Sequence, residues 1–185
     1  KFGEAITTTG WESFNVALRN NTTLTELDLS DNSNFNNEAI QNFATVLSNN
    51  STLKTLRLEN LRHVTRDGWR SIPTLYLRSP TCQLESLYMG QNVLDGGTFR
   101  ELGSSCWRNK TLKNLCLRLP TTARGINTPR VGWNPWMNQL TRIVYNKRSI
   151  IETFNSNHQL ETICYPHDES RLARDMMTCP LMGKN

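Results

Sequence analysis

Apolar residues recur along this chain in a triplet spaced 0, +3, +5. Five lines align on it: Leu24, Leu27, Leu29; then Leu53, Leu56, Leu58; then Leu84, Leu87, Met89; then Leu112, Leu115, Leu117; then Leu160, Ile163, Tyr165. All fifteen positions are apolar or aromatic, and the first leucines are separated by 29, 31, 28 and 48 residues. The alternation from +2 to +6 predicts one short strand per line, with the leucines stacked on those of the next turn. Two lines carry asparagine at +8, Asn32 and Asn92, where an amide can bond the backbone as the chain leaves the sheet. The second line has Leu61 there, preceded by Asn60, and the fourth has Pro120.

The second half of each period predicts a helix. Gly10-Trp11, Gly68-Trp69 and Gly132-Trp133 are equivalent, and Gly97 followed by Thr98 and Phe99 is a softened copy. Each opens a run with apolar spacings of three and four: Trp11, Phe14, Leu18; Ile40, Phe43, Leu47; Phe99, Leu102, Cys106. These faces are expected to pack on the sheet. A polar cluster closes each run before the next strand, as at Asn20 to Thr23, Asn49 to Thr52, and Asn109 to Thr111.

A full helix alternating with a short strand at this period resembles the ribonuclease-inhibitor-like class of leucine-rich repeats. The resemblance covers residues from about Ile6 to Tyr165. The Gly-Trp helix opening and the segment holding Ser149, Ile150, Phe154, Ser156, Asn157, His158 and Leu160 resemble a multi-copy set of such proteins in unicellular algae. The resemblance implies an α/β right-handed solenoid, a horseshoe with parallel strands on the concave face and helices on the convex face.

The expected organisation is a repeat domain over residues 1–165 and a C-terminal extension or partial cap over 166–185, with a short helical candidate at 169–177. The fourth repeat is long. Residues 118–131 contain Pro120, Gly125 and Pro129 and read as a loop, and 146–154 read as a further short helix or turn. Residues 1–9 read as the tail of an earlier repeat, so a longer native protein is expected.

Composition changes little in this picture. Hydrophobic residues are 37% of 185, low for a globule but sufficient where each repeat buries one stripe. The net charge of +5 is mild and mixed in sign, which argues against a dedicated nucleic-acid surface. A basic cluster (Arg118, Arg124, Arg130, Arg142, Lys147, Arg148) reads as solvated charge. Five cysteines, with no CxxC, read as thiols in a reducing compartment, and a cytoplasmic location is expected. No apolar run is long enough to span a membrane.

The search for chemistry finds no enzyme. His63, His158 and His167 lack metal-ligand spacing, and no phosphate-binding glycine loop or nucleophile elbow occurs. Gly96-Gly97 reads as a turn before a helix, and Asp95 beside it as a helix cap. The sequons at Asn20, Asn21, Asn49, Asn50 and Asn109 recur at one repeat position, so turn chemistry explains them together. The tryptophans Trp11, Trp69 and Trp133 fall in register at helix starts, which points to packing between repeats. No cofactor and no metal are expected.

The expected function is therefore non-enzymatic binding of a protein partner through the outward strand positions. The +4 row reads Asp28, Arg57, Tyr88, Cys116, Cys164. Asp28, Arg57, Glu59, Tyr88, Asn114 and Arg118 are the expected contact residues, with Tyr88 and Arg57 as anchors. A plain cross-strand pair between Asp28 and Arg57 is the competing reading of that row. The alternative function is a regulatory segment, an inhibitor, activator or sensor within a larger signalling protein or enzyme.

Overall fold

The structure, a computed structural model, describes residues 6–117, 160 and 162–164. Helix starts are set by capping side chains. Thr7 accepts from the Gly10 N–H at 3.1 Å and opens α1 (Thr8–Arg19), two residues before the Gly-Trp pair that marks it in the sequence. Asn36 accepts from Ala39 N–H at 2.9 Å and opens α2 (Asn37–Leu47). Asp95 accepts from Thr98 N–H at 2.8 Å and opens α4 (Gly96–Arg108), so Asp95 is the cap and Gly96 and Gly97 are the first helical turn rather than a turn before it.

The third helix departs from the simple pattern. It begins as α3 (Arg66–Trp69) and continues as a π-helical segment (Ile72–Tyr76), closed by Leu77 N–H donating to Ile72 C=O at 3.0 Å. Pro73 is the cause: it has no N–H for an α-helical bond, and its ring displaces the preceding turn. Its own carbonyl accepts from the Ser105 hydroxyl of α4 at 2.7 Å. Gly68 permits the close approach of α3 to α2, because a Cβ there would lie 2.5 Å from Asn37 Oδ1 and 2.9 Å from Val64. That same Asn37 amide grips Thr65, accepting from its N–H at 2.8 Å and donating to its hydroxyl at 2.9 Å.

Five strands, β1 (Glu26–Asp28), β2 (Thr55–Arg57), β3 (Ser86–Tyr88), β4 (Asn114–Cys116) and β5 (Thr162–Cys164), form one parallel sheet in chain order. The register follows the leucine alignment: Leu27, Leu56, Leu87, Leu115 and Ile163 are successive partners. The +4 residues Asp28, Arg57, Tyr88, Cys116 and Cys164 form the next row. The ladder runs past the strands, with Leu29, Leu58 and Met89 N–H donating to Arg57, Tyr88 and Cys116 C=O.

The core is one continuous cluster. Leu56, Leu87 and Leu115 are fully buried and meet Ile40, Phe43, Leu47, Phe99, Leu102 and Cys106 from the helices. Leu27 is only partly buried, because β1 is the outer strand among the described residues. Trp11 and Trp69 are buried as expected, and Trp11 meets Phe35 edge to face at 4.5 Å.

Asparagines sew the corners. Asn50 Oδ1 accepts from Thr52 and Leu53 N–H at 3.1 and 2.9 Å, and Asn109 Oδ1 from Thr111 and Leu112 N–H at 2.9 and 2.8 Å. Asn21 does the same for Thr23 and Leu24 at 3.0 and 2.7 Å. Turn chemistry thus accounts for these sequon positions, and Asn50 and Asn109 are buried. At the far corner, Asn92 donates to Leu58 and Met89 C=O at 2.6 and 2.9 Å and accepts from Leu61 N–H at 2.8 Å.

The arrangement is α/β, parallel and leucine-rich-repeat-like. The insert at 118–131, the helix expected from Trp133, the segment 146–154 and the extension 166–185 lie outside the described residues, as do His158 and His167.

Candidate functional site

The side of the sheet opposite the leucines is open among the described residues. Each of β2, β3 and β4 buries its middle residue and leaves the two flanking residues half-exposed. Of the expected contact residues, Asp28, Arg57, Tyr88 and Asn114 stand in those flanking rows, and Glu59 lies just past the end of β2. Past the strand ends a shallow basin of about 330 Å³ opens on this face, lined by Asp28, Ser30, Asp31, Arg57, Glu59, Asn60 and Gln91.

The register places Asp28, Arg57 and Tyr88 side by side, with Glu59 two residues along from Arg57. The Arg57 guanidinium lies over the Tyr88 ring, 3.9 Å from its centroid. Its carboxylate partner is Glu59, 4.0 Å away, rather than Asp28. The plain Asp28–Arg57 ion pair is therefore not what this row builds. Burial pushes the Asp28 carboxyl up, but the Ser30 hydroxyl and N–H and the Arg57 charge outweigh it, so the net effect is below the ordinary value. The Ser30 N–H donates to Asp28 Oδ1 at 2.9 Å, and the Ser30 hydroxyl accepts from Glu59 N–H at 3.1 Å.

Of the remaining expected contacts, Asn114 stands apart from the basin and spends its amide within the sheet, donating to the Ser86 hydroxyl at 3.1 Å. Arg118 lies outside the described residues.

Four lining residues, Ser30, Asp31, Asn60 and Gln91, were not among the expected contacts. Asp31, Asn60 and Gln91 occupy the +7 position of successive repeats, and all three have positive φ, 63°, 54° and 58°. This left-handed step turns the chain off the sheet while keeping the ladder: Asp31 and Asn60 N–H each donate to the neighbouring repeat, to Glu59 and Gly90 C=O at 3.0 Å. Asn60 donates to Asp31 Oδ1 at 2.7 Å. The visible signal was a polar residue just before the +8 position in three consecutive lines. Two residues beyond Gln91, Val93 is 74% exposed.

A second charged row lies at +1. Lys54 and Lys113 flank Glu85 at 3.4 and 2.7 Å. The hydrogen bond from Lys113, helped by Lys54 against slight desolvation, holds the Glu85 carboxyl below its ordinary value. Among the described residues, no group of three or more His, Cys, Asp or Glu is placed to hold a metal ion, and no helix is long and apolar enough to cross a membrane. His63 is exposed.

No protein-family model matches this sequence, and no curated protein matches it. Solved structures do. The chain is similar to a structure titled leiomodin-1 actin-binding site 2, with a TM-score of 0.65 at 18% identity, covering 91% of this chain and 84% of that one. It is also similar to the tropomodulin C-terminal domain of Caenorhabditis elegans, with a TM-score of 0.59 at 14% identity, covering 86% and 85%. At such identities the likeness establishes the fold.

Proposed function

We propose that this chain is a non-enzymatic protein-interaction module, a leucine-rich-repeat solenoid of the ribonuclease-inhibitor-like type. In this reading the repeats curve as a right-handed horseshoe with the sheet on the concave side. The partner seats on that side, across Asp28, Arg57, Glu59, Tyr88, Asn114 and Arg118. A cytoplasmic location fits the buried thiols Cys82 and Cys106.

The basin carries the proposal. It is wide, shallow and polar, and its walls are backbone-anchored residues of three successive repeats. A small metabolite needs an enclosed, largely apolar pocket; a protein surface needs a broad rigid array with a few anchors. The Arg57–Tyr88 stack supplies such an anchor already ordered, so little side-chain entropy is lost when a partner covers it. The likeness to a structure named for actin binding also supports a protein as partner, and makes actin the first defined probe.

The test is capture by the immobilised chain, from purified actin and from a source extract, followed by titration of whatever protein is retained. Tyr88→Ala and Arg57→Ala are each expected to weaken binding about tenfold or more, an interface-anchor effect. Circular dichroism and urea midpoints are expected to stay near wild type. Full affinity in both well-folded variants would remove the concave row as the site.

A further inference from the structure

A cleft between α1 and α2 is floored by two buried polar atoms that find no partner in the protein. They are the Trp11 indole N–H and the Asn15 side-chain carbonyl. Trp11 is 4% exposed and Asn15 is 8% exposed. A buried donor and a buried acceptor without partners call for a physical explanation. We propose that this cleft is a binding site for one water molecule, which accepts from the Trp11 indole N–H and donates to the Asn15 carbonyl. The inference lies on the helical side of the fold and does not depend on the partner-binding reading.

The repeat itself marks Asn15 as a departure. Trp11 and Asn15 stand one helical turn apart, so their side chains are neighbours on one face of α1. The corresponding pairs in the later helices are Ile40 with Ala44, Trp69 with Pro73, and Phe99 with Gly103. Ala44, Pro73 and Gly103 are all buried, and none carries a polar side chain. A carboxamide buried at this place loses its hydration, and no contact inside the protein compensates its carbonyl.

Chemistry and size select the ligand. An indole N–H only donates, and an amide carbonyl only accepts. An anion would satisfy the indole but would face the Asn15 oxygen and the Glu12 and Glu38 carboxylates that line the same cleft. A cation would satisfy Asn15 and leave the indole N–H unmet. A neutral O–H group serves both. The cleft has a volume of about 20 Å³. Roughly 10–15 Å³ holds one water, and a hydroxyl carried on a carbon skeleton needs more room than this cleft has.

Access and rigidity fit a resident water. Glu12, Asn34, Glu38 and Asn42 at the rim are exposed, so solvent reaches the floor of the cleft without local unfolding. The Asn34 and Asn42 amides line the cleft as further hydrogen-bonding groups. Trp11 meets Phe14 and Phe35 edge to face at 5.7 and 4.5 Å, and these rings fix the direction of its N–H. The lining residues come from both helices, so the water ties α1 to α2.

The test uses the full 185-residue chain, isotope-labelled for nuclear magnetic resonance. Magnetisation transfer from water to the indole N–H protons is recorded in the laboratory and rotating frames. The Trp11 indole signal is the one lost in Trp11→Phe. A water held in place gives peaks of opposite sign in the two frames, whereas proton exchange or passing solvent gives the same sign in both. Trp11 is expected to show the opposite-sign pair. In Asn15→Leu, which removes the acceptor at similar volume, the Trp11 indole signal is expected to remain and its water peak to be lost, with circular dichroism unchanged. If the leucine variant does not fold, the wild-type spectrum decides alone. A Trp11 indole signal in folded wild type with no water peak or only same-sign peaks, or a water peak undiminished in folded Asn15→Leu, would overturn the proposal.

Discussion

Asn92 is the side chain whose loss tests the repeat architecture most sharply. Its amide makes three hydrogen bonds, to Leu58 C=O at 2.6 Å, to Met89 C=O at 2.9 Å and from Leu61 N–H at 2.8 Å. Two of these reach into the preceding repeat, and the residue is 3% exposed. Asn92→Ala removes all three and leaves buried backbone groups without partners. At about 1 kcal/mol per net hydrogen bond, plus a desolvation penalty for the stranded Leu61 N–H, the cost is about 3–4 kcal/mol. Asn32 holds the same repeat position but differs in reach. It donates to Leu29 and Ser30 C=O at 2.8 and 3.4 Å, within its own turn and half-exposed. Water can replace those bonds, so Asn32→Ala is expected to cost about 1 kcal/mol or less. Urea unfolding followed by far-ultraviolet circular dichroism reads both. With an m-value of about 2 kcal/mol/M, Asn92→Ala lowers the midpoint by about 1.5–2 M and Asn32→Ala by about 0.5 M or less. Equal shifts, or a shift under about 0.3 M for Asn92→Ala, would refute the claim that this asparagine joins two repeats.

The leucine spine has its own gradient. Leu87→Ala, fully buried in a central strand, is expected to lose about 2–5 kcal/mol, and Leu27→Ala, half-covered at the outer strand, clearly less; denaturant midpoints rank them. The acid response of Asp95 follows from its surroundings. Burial raises its carboxyl, but the Thr98 N–H and hydroxyl and the Arg70 charge outweigh that, so its folded pKa lies below the ordinary 3.8. A depressed carboxyl stabilises the fold fully above its unfolded pKa, and that stabilisation is lost as pH falls through the folded value. Asp95→Asn is therefore expected to narrow its stability gap from wild type between about pH 6 and pH 3, read as urea midpoints; a constant gap would contradict the linkage.

Much of the fold was legible because a parallel sheet built from repeats turns sequence spacing directly into register. The leucine triplets predicted which residues pair, and the +4 row of Asp28, Arg57 and Tyr88 followed. The asparagine corners were legible for the same reason. The break in the third helix was not: Trp69, Ile72 and Tyr76 keep helical spacing across Pro73, so the apolar pattern hides the change in backbone bonding. The basin was half legible. Asp28, Arg57 and Glu59 were expected, but Asp31, Asn60 and Gln91 join them through a left-handed backbone step. Asparagine and aspartate hint at that conformation, and glutamine does not. Nor does a row of outward positions reveal that Arg57 prefers the Tyr88 ring and Glu59 to Asp28, since that is decided by side-chain reach across the strands.

The functional claim is that a protein partner covers the open sheet face. A photo-reactive phenylalanine placed at Tyr88, and separately at Val16, tests it directly. Val16 is an apt control, an apolar residue of α1 that is 58% exposed. Irradiation in the source cells is expected to yield one dominant cross-linked protein from position 88, lost when Arg57→Ala is added, and little from position 16. Equal capture from both positions, or a dominant partner only from position 16, would place binding elsewhere and contradict the account.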